Sequence, residues 1–320
     1  MIDKFILPLC KSNIRSFPHF AFADGLISSN MGDHYNEYLS GKFINFYFDS
    51  KSLIFALVAD DNWGVDAGIV SHQKIELYKT SFAVCDINIT DICKKGLKSD
   101  LYIYGLRGRE QNKYLVNGYD DTINAFEVWS SDSEKGLFSE WIAYEDLINS
   151  LFEVPEKTLG ITFWKYNKKH SYALDIRNVA VGIREYLEGI SRDKNRICGL
   201  LAFKELSFYC LKQAKSQELL DKRFLLGFVE HKYFMYERIK YLVKKDLMSK
   251  TFLQSAQAIV DIATSVENMV DMYNATKKPE YAVKISKIIE RTISLEQRYL
   301  PSALIELECS LDEMKNVEIS

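Results

Sequence analysis

Six cysteines (Cys10, Cys85, Cys93, Cys198, Cys210, Cys309) and five histidines (His19, His34, His72, His170, His231) are the side chains best suited to nucleophilic or metal chemistry in this chain. A thiolate beside an imidazole would carry acyl transfer, the sulfur attacking an acyl carbon while the ring manages the proton. Spacing speaks against metal chemistry. The cysteines are scattered without a CxxC pair, and no histidine stands at ligand spacing from another or from a cysteine pair. Phosphate- and dinucleotide-binding fingerprints are missing too: Gly105-Leu106-Arg107-Gly108 is too short and lacks the following helix. No GxSxG elbow and no HExxH occurs. No cofactor is therefore expected. A lone cysteine is more often a buried small hydrophobe than a nucleophile, so each starts as a poor candidate.

Two segments carry most of the information. The first is Lys113-Tyr-Leu-Val-Asn-Gly-Tyr-Asp-Asp121, followed by Phe126-Glu-Val-Trp129. It reads as strand, GYDD turn, strand, the shape in which papain-like peptidases present a histidine and its orienting carboxamide or carboxylate. Turn statistics alone favour a plain tight hairpin at Gly118 to Asp121. The second is Asp221 to Leu242, where Phe224, Phe228, His231, Met235, Ile239 and Leu242 share one helical face. His231 interrupts an otherwise apolar stripe, and such a histidine is more often a satisfied core residue than a catalytic one.

The elements that must position these residues fall into two unlike halves. Eleven of the 15 glycines and all four tryptophans occur by residue 164, and no glycine follows Gly227. Strands are expected at Lys42 to Asp49, Leu53 to Ala59, Leu101 to Gly105, Lys113 to Asn117 and Asn124 to Trp129, with a helix starting at Tyr144-Glu145-Asp146-Leu147. From about Ile176 the period becomes helical, over Arg177 to Ile190, Cys198 to Lys215, Asp221 to Lys244, Phe252 to Ala275 and Pro279 to Tyr299. The fold class is therefore α+β: a mixed α/β domain with antiparallel strands over 1–170, and an all-α helical domain or subdomain over 171–320.

Composition narrows the function classes without naming one. The 320 residues carry 41 Lys plus Arg against 44 Asp plus Glu, a net charge of -3, divided as -5 and +2 between the two halves. That balance argues against a protein whose main task is gripping nucleic acid or anionic membrane. Nothing in the sequence resembles a membrane span. Scattered cysteines without a secretory leader suit a reducing cytoplasm.

Taken in order, these segments resemble the butirosin biosynthesis protein H-like family, which accompanies nonribosomal peptide and other natural-product assembly lines. The matching features are Asn117 to Asp121, Phe126 to Trp129 and Tyr144 to Leu147, with the helix-then-strand stretch Ile92 to Tyr104 upstream. The helical half matches through Asp221, Arg223, Leu225, Glu230, His231 and Lys232, then Met235 and Arg238. The similarity spans about residues 17 to 300. It implies a papain-like first half and acyl transfer from a carrier-protein thioester to an amine.

The chain departs from that pattern where chemistry would occur. The family's histidine position, six residues before the glycine of GYDD, holds Asn112 with Lys113 beside it. Phe17 to Ile27, where a nucleophile would open the first helix, contains no cysteine. The favoured expectation is a degenerate, papain-like accessory protein that binds acyl or peptidyl intermediates tethered to a carrier protein. Asn112, Tyr119, Asp120, Asp121 and His231 are its candidate binding residues. The alternative is an active cysteine acyltransferase or peptidase rebuilt from Cys10, with His19 or His34 as base and Asp132 as orienter. A third reading is a non-catalytic structural protein that forms a homodimer through its helical half.

Overall fold

The computed structural model describes residues 3–57, 69–78, 88–107, 112–132, 135–153, 158–169, 172–191 and 194–319. The chain forms two compact units, one from Met1–Gly32 with Asp61–Ser171 and one from Asp33–Asp60 with Tyr172–Ser320. The architecture is α+β, with antiparallel sheet dominating the first unit and helices the second.

The first unit is built on a seven-stranded antiparallel sheet. Its strands are β1 (Lys4–Ile6), β4 (Val70–Tyr78), β5 (Tyr102–Arg107), β6 (Asn112–Asp120), β7 (Ala125–Asp132), β8 (Gly136–Ala143) and β9 (Thr158–Tyr166). The order is β4-β9-β5-β6-β7-β8, and β1 joins the far end of β6. Side chains directly opposite in an antiparallel pair share a face, so the register Tyr104↔Leu115↔Trp129 defines one face and Ile103↔Phe163 the other. Helix α1 (Pro18–Met31) covers the first face, its Phe22 ring edge-on to Tyr104 at 6.0 Å. Helices α3 (Ile89–Lys98) and α4 (Tyr144–Phe152) cover the second. There a Cβ on Gly96 would lie 2.7 Å from the Phe163 ring, and Tyr144 packs on Phe126 at 4.5 Å.

The GYDD segment is not the hairpin turn. Gly118, Tyr119 and Asp120 continue β6, and the chain reverses at 121–124, with Asn124 at φ 52°. The reason is β1, which pairs with Gly118 to Asp120 and extends the sheet there. Gly118 is glycine because β1 crosses so near: an added Cβ would lie 2.8 Å from the Phe5 carbonyl oxygen. The register shifts between Val116 and Gly118, and Asn117 at this bulge accepts from the Leu7 amide and donates through Nδ2 to its carbonyl.

The second unit carries α2 (Tyr35–Gly41), β2 (Phe46–Asp49), β3 (Ile54–Leu57), α5 (Ile176–Glu188), β10 (Arg196–Cys198), α6 (Gly199–Ser216), α7 (Lys222–Lys244), α8 (Lys250–Thr276) and α9 (Pro279–Ile319). Its small sheet, order β10-β2-β3, rests on α6 and α7. The boundary at 170/171 needs correcting on one side, because Asp33–Asp60 belongs with the helices. The helical unit is thus neither continuous in sequence nor all-α. Phe46 and Phe55 explain this: they bury on Phe203 (4.6 Å) and Phe224 (5.4 Å), aromatic partners far along the chain. Helix α9 continues past Tyr299 and Pro301 because Leu300, Ala303, Leu304 and Leu307 extend its buried stripe.

Candidate functional site

The resemblance directs attention to the head of α1. Pro18 opens that helix at a position where its missing N–H costs nothing, and His19 follows. Lys113, near the start of β6, brings Nζ to 3.4 Å from His19 Nδ1. Burial, reinforced by the Lys113 charge, lowers the His19 pKa to about 3, so its ring is neutral at ordinary pH and accepts from the ammonium. Lys113 and Ser131 fall opposite each other in the β6–β7 register, beside the Tyr114↔Ser130 pair. Glu127, Trp129 and Ser131 alternate along β7 and therefore share one face. Each carries a buried polar atom without a hydrogen-bond partner: Glu127 Oε2, Trp129 Nε1 and Ser131 Oγ. Such orphaned groups cost about 1–3 kcal/mol apiece unless a bound molecule or water satisfies them. All three lie on the α1-covered face of the sheet, Ser131 nearest to the Lys113 end.

Cys10 does not join this group. Its backbone N–H donates to Gly25 O, which lies six residues beyond His19, about 9 Å along α1 at 1.5 Å per residue. Cys10 is exposed, whereas Cys93 and Cys210 are buried thiols pushed up to about 12 by desolvation. Cys85 and His170 lie outside the described residues. His34 belongs to the other unit, where it is exposed and stands 3.5 Å from Glu37. Asp132, at the exposed end of β7, accepts from the Lys135 amide. Cys10, His19 and Asp132 thus form no triad.

Nor do the expected binding residues converge. Asn112 sits at the start of β6, and Tyr119 and Asp120 at its end, seven residues and about 23 Å away. Asp120 accepts from Thr122 and pairs with Lys4. Asp121 binds Lys94 and the Tyr144 hydroxyl. Thr122 for Asp120, and Lys94 for Asp121, hold these carboxyls below the usual range. Tyr119 is buried against Phe5, with Lys94 and Lys98 near its ring. These residues secure β1, α3 and α4 rather than line a cleft.

The motif of the helical half forms a buried polar system on α7. His231 Nε2 meets Ile44 O at 3.0 Å, and its ring stacks on Tyr186. Desolvation, then the Lys232 charge, holds the imidazole neutral. Lys232 donates to Glu296 Oε2 at 2.7 Å and to Tyr186 Oη at 3.0 Å, all three fully enclosed. Arg238 donates to Ser40 O and Lys42 O, and through Nη1 to Met235 Sδ. Burial depresses the guanidinium to about 9. His231 is therefore an anchor for residues 40–44, as the core-histidine reading expects.

Sequence reasoning placed Lys113 beside the family's histidine position but did not pair it with His19, because 94 residues separate them. It also missed Trp129 and Ser131 as orphaned groups. Among the described residues no cluster of three His, Cys, Asp or Glu side chains could hold a metal, and no helix is long and apolar enough to cross a membrane. Searches of protein-family models and of curated proteins find no match to this chain.

Proposed function

We propose that this chain is a papain-like accessory protein of nonribosomal peptide-type biosynthesis, with a degenerate site that binds acyl or peptidyl intermediates tethered to a carrier protein. The observation that carries this reading is the composition of the α1 head: an imidazole stands next to Lys113 where a thiol would be required beside an imidazole. Neither group can take an acyl chain from a thioester in the papain manner, since His19 is neutral and engaged by the ammonium. The remaining groups suit binding. Lys113 supplies a cationic donor, and the buried, unpartnered Trp129 Nε1 and Ser131 Oγ would supply two more to carbonyl oxygens of a pendant chain once its entry uncovers them.

The test has two arms. The protein is first incubated with an acyl thioester mimic and its intact mass recorded; no adduct is expected. An adduct that disappears in Cys10→Ala would overturn the degenerate reading and establish a relocated nucleophile. Binding to an acylated carrier domain is then titrated, and Trp129→Phe and Lys113→Ala should weaken it roughly tenfold, the value of a lost charge-assisted or buried hydrogen bond. Equal affinity for acylated and bare carrier, or unchanged affinity in both variants, would also refute the proposal.

A further inference from the structure

Helix α6 buries one side and presents the other to solvent. Leu200, Phe203, Leu206, Ser207 and Cys210 are buried, and the Ser207 hydroxyl meets Ser286 Oγ and Glu290 of α9. On the opposite side, Leu201 and Phe208 are 43% and 64% exposed, Phe208 being the most exposed large apolar side chain among the described residues. Single exposed apolar residues mean little. These two, however, stand seven residues apart, about 10 Å along the helix. Half-buried Leu211 follows three residues after Phe208, the spacing of a seam along which a second helix packs.

Charge complementarity selects what would cover this seam. Lys204, Lys212 and Lys215 share the exposed face of α6 with one carboxylate, Glu205. Among the described residues these three ammonium groups have no ion pair or hydrogen bond. The adjoining stretch of α9 adds exposed Lys287 and Arg291 beside Glu290. The surface is thus locally basic in a chain whose net charge is -3. A second copy of α6 would set lysine against lysine, which like-charge repulsion disfavours. A lipid surface would need a broader apolar face than two residues separated by Lys204 and Glu205.

We infer that the exposed face of α6 docks an amphipathic helix of a protein partner, one whose apolar residues recur at heptad spacing between rows of carboxylates. Leu201, Phe208 and Leu211 would fill the apolar seam. Lys204, Lys212 and Lys215 would lay their stems along it and reach the acidic flanks. All of these residues belong to the second unit, so this surface stands or falls independently of the α1 site.

The full chain is titrated by calorimetry with a three-heptad helical peptide carrying Leu at positions a and d and Glu at e and g. The same peptide with Lys at e and g is the comparator. The acidic peptide should bind about tenfold more tightly than the basic one, by an amount that shrinks as salt rises. Phe208→Ala should weaken its binding about tenfold, and Lys204→Glu with Lys212→Glu should reverse the preference toward the basic peptide. Both changes fall on exposed side chains, and a thermal midpoint checks that each variant is folded. Co-sedimentation with vesicles of equal parts phosphatidylcholine and phosphatidylglycerol, and sedimentation of the chain alone, test the other occupants. The inference is overturned if the acidic peptide does not bind up to roughly 1 mM, if both peptides bind alike, or if either folded variant behaves as the parent. It is equally overturned if Phe208→Ala instead abolishes binding to the vesicles or self-association.

Discussion

Lys232 and Glu296 make the sharpest test of how the helical unit is held together. Both side chains are fully enclosed, 2.7 Å apart, with Tyr186 as their shared third partner. Lys232 Nζ also lies 3.8 Å from the Phe203 ring centre. Lys232→Met leaves the Glu296 carboxylate with the Tyr186 hydroxyl alone, while Oε1 already lacks a donor. An uncompensated buried charge of this kind costs about 3–5 kcal/mol. In a unit of this size that lowers the thermal midpoint by about 6–20 °C. Glu296→Gln strands the ammonium instead and should cost less, because burial already lowers the Lys232 pKa and the group can shed its proton. With a folded-state pKa below that of the unfolded chain, the stability of this variant should rise with pH toward the ordinary lysine value. Lys232→Met with Glu296→Leu removes both charges and strands only the neutral Tyr186 hydroxyl, so it should cost about 1–3 kcal/mol, less than Lys232→Met alone. Urea unfolding followed by far-ultraviolet circular dichroism measures all three. Single variants costing under about 1 kcal/mol, or a double variant costing as much as the singles together, would refute the reasoning.

Three further outcomes follow from the geometry. Arg238→Lys replaces a two-carbonyl fork with a point donor and should cost about 1–3 kcal/mol, with faster amide hydrogen exchange confined at first to residues 41–45; unchanged exchange there would show that Arg238 does not hold this segment. Gly118→Ala drives a Cβ to 2.8 Å from the Phe5 carbonyl and should detach β1, seen as new protease sensitivity ahead of residue 8 in an otherwise folded chain; a resistant terminus would contradict the close crossing. His19, with its folded pKa depressed to about 3, contributes stability that is complete above about 6.5 and lost as pH falls from 6.5 toward 3. His19→Gln should flatten the urea midpoint across that window, and parallel profiles for parent and variant would oppose a buried neutral ring.

Much of the local structure was legible from pattern. The strand alternation at Lys113 to Asn117, the helix beginning at Tyr144 and the apolar stripe within Asp221 to Lys244 appear as β6, α4 and α7, because side-chain periodicity is a property of neighbours in sequence. The GYDD segment misled for a physical reason. Glycine and aspartate are turn residues by propensity, but here Gly118 answers the approach of β1, a strand more than a hundred residues earlier. Lys42 to Asn45 was read as the start of a strand and instead forms an irregular strap, since Arg238 and His231 claim its carbonyls.

The amino-acid sequence by itself determined the class of the protein: an antiparallel first part, a glycine-poor helical second part, near-balanced charge and no metal-binding spacing. Tertiary structure alone decided which chemistry-bearing residues meet. His19 found Lys113 rather than a thiol, Cys10 was set about two turns down α1, and His231 and Arg238 of α7 turned inward to hold residues 40–44. Periodicity records which face of an element is buried. It carries no information about which distant partner covers that face, and the partner determines whether a histidine is a base, an anchor or a neighbour of an ammonium.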